Sequence, residues 1–213
     1  MIILTVPPGP PFPEELHMKK MCGIVWCYTG PEEESEEVFA PVFEVGTPAL
    51  HGVGAMPFPA LQSAFDALYP PDYQWYWKAD FITELSDEAI EEHMKYAVVP
   101  TMLSTMHLYP IDGAAHRVGP NETPWSYREA NWGMVIAGVD PDPANKENIT
   151  EWAREYWEAI HSHSAGGAYV NMMMEEGQDR VKASYRDNYE RLVETKREYD
   201  PTNLFRVNQN IKP

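Results

Sequence analysis

Residues 74–81 read QWYWKADF, and so strict an alternation leaves few conformations open. In an extended chain successive side chains point to opposite faces. Trp75, Trp77, Ala79 and Phe81 then share one face, and Gln74, Tyr76, Lys78 and Asp80 share the other. A helix would scatter both sets around its axis, so a strand is predicted. Its polar face carries tyrosine where a solvated face usually carries more charge. Tyr76 and Lys78 therefore fit either a solvated face or a covered surface turned toward a ligand.

Further strands are predicted at MCGIVWCYT (21–29), STMHLYPI (104–111), WGMVIAGV (132–139) and AYVNMMM (168–174). On the first, Cys22 and Cys27 fall on opposite faces, so no disulfide is expected and both read as small core residues. Helices are predicted from the acidic run at 32–37, where negative charge suits the amino-terminal dipole, and over 60–68. Ser86 caps another, with Asp87 and Glu88 in its first turn and a buried stripe of Leu85, Ala89, Ile90, Met94 and Ala97. A longer one over about 144–162 carries Ile149, Trp152, Ala153, Tyr156 and Ile160 on one side, and a last spans 179–199 before Pro201. No strand shows the continuous Val/Ile run of a doubly wound parallel sheet. The expected class is α+β: an antiparallel or mixed sheet with helices covering one face, plus a C-terminal helical cap. Residues 1–20, with five prolines, read as an extended connector; 21–165 read as one α+β domain and 166–213 as a closing segment.

A chain of 213 residues, 44% of them hydrophobic, can bury one core. Its 33 acidic against 16 basic residues would repel phosphate backbones, so no nucleic-acid partner is expected. The apolar runs are too short to span a bilayer, and the opening residues lack a basic n-region, so a cytoplasmic protein is expected. No P-loop or dinucleotide fingerprint occurs. His161 and His163 lie at a helix end without carboxylate or cysteine neighbours in sequence, so no metal is expected. His107 shares a strand face with Thr105 and Tyr109, which suits a pocket wall or a hydrogen-bonded, half-buried histidine.

The chain's end narrows the choice. GGAYVN (166–171) is followed by YRDNYERLVETKREYDPTNLFRVNQNI (185–211), with Tyr169, Asn171, Asn188, Tyr189, Leu192, Lys196, Asp200, Pro201, Asn203, Phe205, Gln209 and Ile211 in a fixed order. With CYTG, ALQSAFDALYPP, QWYWKADF and HLYPIDGAAHRV upstream, this resembles the berberine bridge enzyme-like FAD-linked oxidases from about Leu16 onward. The resemblance implies the substrate-binding and C-terminal portion of an FAD-dependent oxidoreductase acting on a small alcohol, sugar or amine. It implies flavin contacts from Tyr169, Asn171, Asn203, Asn208 and Gln209. The polar sheet face would roof the flavin, with Gln74, Tyr76, Lys78, His107 and Tyr109 shaping the substrate cavity. Many oxidising members place a tyrosine base directly after the Tyr-x-Asn motif; Met172 stands there, which leaves Tyr76 or His107 as the base, or none where the hydride donor is already acidic. Family members are much longer and carry an amino-terminal FAD domain. The resemblance thus implies a truncated product, a fragment, or a split enzyme whose partner is a separate FAD-domain chain. The surface left bare would favour self-association. The alternative is a catalytically inactive remnant, or interaction module, that binds no flavin by itself.

Overall fold

A computed structural model describes all residues, Met1–Pro213. Five strands, β1 (Ile2–Thr5), β2 (Lys20–Gly23), β3 (Gln74–Ile82), β4 (Thr105–Pro110) and β5 (Trp132–Asp140), form one antiparallel sheet in the order β2-β1-β4-β5-β3. Six α-helices complete the chain: α1 (Ser35–Glu44), α2 (Phe58–Ser63), α3 (Asp87–Tyr96), α4 (Lys146–His161), α5 (Gln178–Tyr185) and α6 (Asn188–Tyr199). No helix is long and apolar enough to cross a membrane.

The chain divides into two compact units, Met1–Gly23 with Asp72–Pro213, and Ile24–Pro71. The first contains the sheet and the core. Ile149, Trp152, Ala153, Tyr156 and Ile160 recur at helical spacing, and α4 lays this stripe across one sheet face against Ile3, Ile82, Met106, Leu108, Met134 and Ile136. Burying such side chains contributes about 1.5–3 kcal/mol each. A smaller cluster of Val181, Tyr189 and Val193 holds α5 to α6, with Ile211 packed on it. The second unit contains α1, with Pro41 inside it, and α2. None of its residues is buried, and Trp26, Val45 and Phe58 are more than half exposed.

The helix over the sheet comes close at one point. A Cβ added to Gly138 would stand 2.6 Å from the Ile149 carbonyl oxygen, a backbone atom with no rotamer to yield. Gly138→Ala is therefore expected to push α4 off β5 and cost roughly 1–3 kcal/mol, the range for overpacking. A urea midpoint unchanged from wild type would refute this contact as the limit on helix approach.

Several expectations change. Residues 1–20 are not a connector: Ile2–Thr5 is a strand between β2 and β4, and Ile3, Leu4, Val6 and Leu16 are buried, because the prolines begin only after the strand. The predicted strand at 21–29 stops at Gly23, and Cys22 and Cys27 are exposed rather than core. The stripe on α3 is rotated: Ala89 and His93 are buried, whereas Ile90 and Met94 face outward. The predicted helix at 179–199 breaks at Arg186, whose φ of 46° no helix accommodates. Residues 168–174 form no strand; a 3-10 turn occupies Val170–Met172.

Candidate functional site

The register settles which side chains share a face. Ala79 stands opposite Val135 and Val135 opposite His107, so these lie together with Trp75, Trp77, Phe81, Thr105, Ala137 and Tyr109. Gln74, Tyr76, Lys78 and Asp80 lie on the other face, the one α4 covers. The polar face of β3 therefore does not line a cavity with His107 and Tyr109. The charged residues of the strands, Lys20, Lys78, Asp80 and Asp140, all fall on the α4 side, so the strand side chains of the His107 face carry no charge, and the charge acting on His107 is the amino-terminal ammonium held on the Leu108 carbonyl at 2.8 Å.

On that face, the one α4 does not cover, His107 is buried, its Nε2 is 2.9 Å from the Thr105 hydroxyl, and its ring lies parallel to Tyr109 with centroids 5.7 Å apart. Burial pushes the imidazolium down to about 4, so the ring is neutral near pH 7. Burial likewise raises the Tyr109 phenol, which keeps its proton. Tyr76, the other candidate base, accepts from Arg154 Nε at 3.0 Å across the sheet, so the two candidates do not work in one cleft.

The Tyr-x-Asn segment reaches the same face. Ala168 and Met173 pack on Ala79, with Val135, Val170 and Met172 around them, so the turn abuts the residue opposite His107. Tyr169 and Asn171 are exposed, and the Asn171 carboxamide donates to the Tyr169 hydroxyl at 2.9 Å. A cavity of about 150 Å³ beside them is lined by Pro124, Trp125, Ala168, Tyr169, Val170, Asn171, Ser184 and Tyr185. A larger concavity, about 580 Å³, runs along the outer side of α4. A single helix lines it, so it lacks the converging walls of a binding site.

The tail meets this segment from behind. Gln209 Nε2 donates to the carbonyls of Met173 and Met174, both at 3.0 Å, so the tail and the Tyr-x-Asn turn share one region. That amide is engaged by backbone. Asn208 is exposed in a left-handed conformation. Asn203 is also left-handed, within a turn in which Asp200 accepts from the N–H groups of Leu204 and Phe205 at 2.7 and 3.0 Å. Asn203 Oδ1 and Asn210 Oδ1 are buried without partners. Leu204, Phe205 and Val207 are 73, 76 and 79% exposed and anchor nothing within this chain.

A charged cluster of which the sequence marked only Lys78 as functional sits at the outer edge of β3. Asp80, wholly buried, accepts from Arg180 Nη2 and lies 2.8 Å from His161 Nδ1. Lys78 pairs with Glu176 at 2.5 Å and lies over the Trp157 ring. Asp80 was legible in QWYWKADF, but its partner lies 100 residues away and only the fold brings them together.

An antiparallel sheet with helices on one face and a C-terminal turn laid on the other is a fold shared with solved structures. The chain superposes on a berberine bridge enzyme variant described as a reticuline dehydrogenase with a TM-score of 0.73 and 16% identity, over 86% of this chain and 44% of that one. For aclacinomycin oxidoreductase the TM-score is 0.72 at 16% identity, over 86% and 42%. In sequence, residues 168–212 match the family described as berberine and berberine like. An FAD-linked oxidoreductase of Dictyostelium discoideum is 25% identical over 87% of this chain and 41% of its own length. The uncharacterised FAD-linked oxidoreductase YgaK of Bacillus subtilis is 27% identical over 87% and 42%. Residues 168–212 thus carry the berberine and berberine-like signature, and the chain is similar to the substrate-binding and C-terminal part of FAD-linked oxidoreductases. It spans about two fifths of the length of these curated relatives.

Proposed function

We propose that this chain forms the substrate side of an FAD-dependent oxidoreductase acting on a small alcohol, sugar or amine, with its cleft on the His107 face of the sheet. The observation that carries this reading is the packing of Ala168 and Met173, which flank the turn, on Ala79, in a cluster that also takes in Val135, directly opposite His107. The residues present suit one side of a flavin. Tyr169 and Asn171 offer exposed hydroxyl and carboxamide groups, and they are the residues that would hold the ring. When bound, the flavin would supply hydride acceptance. The chain's own contribution is different. A face without charged strand side chains suits a neutral reacting group, the neutral His107 imidazole can take up the substrate proton, and the protonated Tyr109 can donate a hydrogen bond. Met172 can do neither.

The exposed Leu204, Phe205 and Val207 support a second element of the reading, that the tail docks on a separate FAD-binding polypeptide or on a second copy. Co-expression with the FAD-binding portion of a relative tests both. Flavin absorbance should co-purify with the pair, and the pair should form peroxide with glucose, a benzylic alcohol or a benzylic amine. His107→Gln should then lower kcat by about 10²–10⁴-fold, the range for loss of a positioned base. A folded, co-purifying pair that stays colourless and inert would establish the inactive-remnant alternative instead.

A further inference from the structure

We propose that Arg180 is a positioning residue: it completes the outer edge of β3 where the chain leaves the sheet, and so holds the Tyr169–Met172 turn over the His107 face. β3 is the outermost strand, and its outer backbone groups need partners. At one end the returning chain supplies them. Ile82 bridges Ser164, Ala165 N–H donates to the Phe81 carbonyl at 2.7 Å, and Phe81 N–H donates to the Gly167 carbonyl at 2.7 Å. A strand continuing through 168–174 would serve Ala79 and Trp77 next. The chain instead turns away after Gly166, whose φ is 93°, and side chains take over.

Arg180 Nη2 donates to the Ala79 carbonyl at 2.7 Å, and the Met174 sulfur accepts from Trp77 N–H at 3.3 Å. The same guanidinium donates through Nη1 to the Gly166 carbonyl at 3.0 Å and through Nη2 to Asp80. One planar group thus ties the strand edge, the point of departure and a buried counterion, which a lysine could not do at once. Behind the turn, Ser184 of the same helix accepts from Ala168 N–H at 3.2 Å. With the edge occupied by side chains, residues 168–173 are free to fold across Ala79 and Val135 rather than pair as a strand. What the turn faces rests on the proposed function; that Arg180 fixes it rests on this chain alone.

Hydrogen exchange on the chain itself tests the proposal, with Arg180→Met, Arg180→Lys and Asp80→Asn/Arg180→Met as variants. The double variant removes both charges together, so that no charge is left buried without its partner. The expected result is recovery of Tm toward wild type in the double variant, with exchange at Ala168, Met172 and Met173 still at least tenfold faster than wild type. Lysine should restore protection only partly, and added guanidinium at millimolar concentration should slow exchange at these amides in Arg180→Met. In the co-expressed flavin-bearing pair, the double variant should also shift the flavin absorption envelope. Wild-type protection of the three amides in the double variant, or acceleration spread evenly over α4 as well, would overturn the assignment. A pair that binds no flavin would remove the proposed function and leave the exchange result to decide this inference by itself.

Discussion

Asp80→Ala is expected to lower the stability of the sheet-containing unit by about 3–5 kcal/mol, the cost of breaking a buried pair by removing one partner. The size follows from the surroundings. The Asp80 side chain has no exposed surface, and Arg180 is 10% exposed, so neither charge can fall back on water. Removing the carboxylate leaves the guanidinium with Glu176 as its nearest anion, 3.7 Å from Nε, an oxygen already engaged with Lys78 at 2.5 Å. It also strips His161 of its 2.8 Å partner. Urea unfolding followed by tryptophan fluorescence measures the loss. A cost below about 1 kcal/mol, the usual worth of a surface pair, would mean that water reaches this cluster.

Acid should weaken the fold through two buried histidines. Burial holds both His93 and His107 down to about 4, against an ordinary value near 6.5. The unfolded chain then takes up protons first as pH falls, so each group's contribution is complete above pH 6.5, declines from 6.5 to 4, and changes no further below. At about 1.4 kcal/mol per pH unit, each histidine accounts for roughly 3 kcal/mol across that window. For His93 the cause is visible: Nδ1 sits 2.6 Å from the Tyr156 hydroxyl between α3 and α4, and Nε2 is buried without a partner. A proton there would add a charge the core cannot solvate. His93→Gln, compared with wild type in urea at pH 7.5 and pH 4.5, should lose about half of the acid-dependent decline. Equal pH dependence in the two proteins would show that His93 titrates normally.

The amphipathic pattern of α4 and the alternation of β3 were readable directly, because periods of 3.6 and 2 are local properties. The residues of the site were legible as types but not as neighbours. His107, Thr105 and Tyr109 do share a strand face, as their spacing predicts. Placing Tyr76 and Lys78 with them required knowing which face of β3 the long helix would cover. The face of Trp75, Trp77, Ala79 and Phe81 is the more apolar, yet α4 covers the face bearing Tyr76, Lys78 and Asp80, whose far end continues into Ile82. The charged groups there are accommodated by Glu176, Arg180 and His161, none of them within 75 residues of β3. Likewise AYVNMMM has the composition of a strand, but an arginine from α5 holds the edge it would have paired with.

Short-range sequence patterns were enough to specify the α+β class, the capped and striped helices, and the ordered C-terminal motif that resembles a flavoenzyme family. Each of these depends on residues a few positions apart, where spacing alone fixes direction. Which sheet face α4 covers, where the chain departs from β3 and which histidine is held neutral were decided only in three dimensions. Those outcomes depend on desolvation and on hydrogen bonds between residues as far as 101 positions apart, which no local pattern encodes.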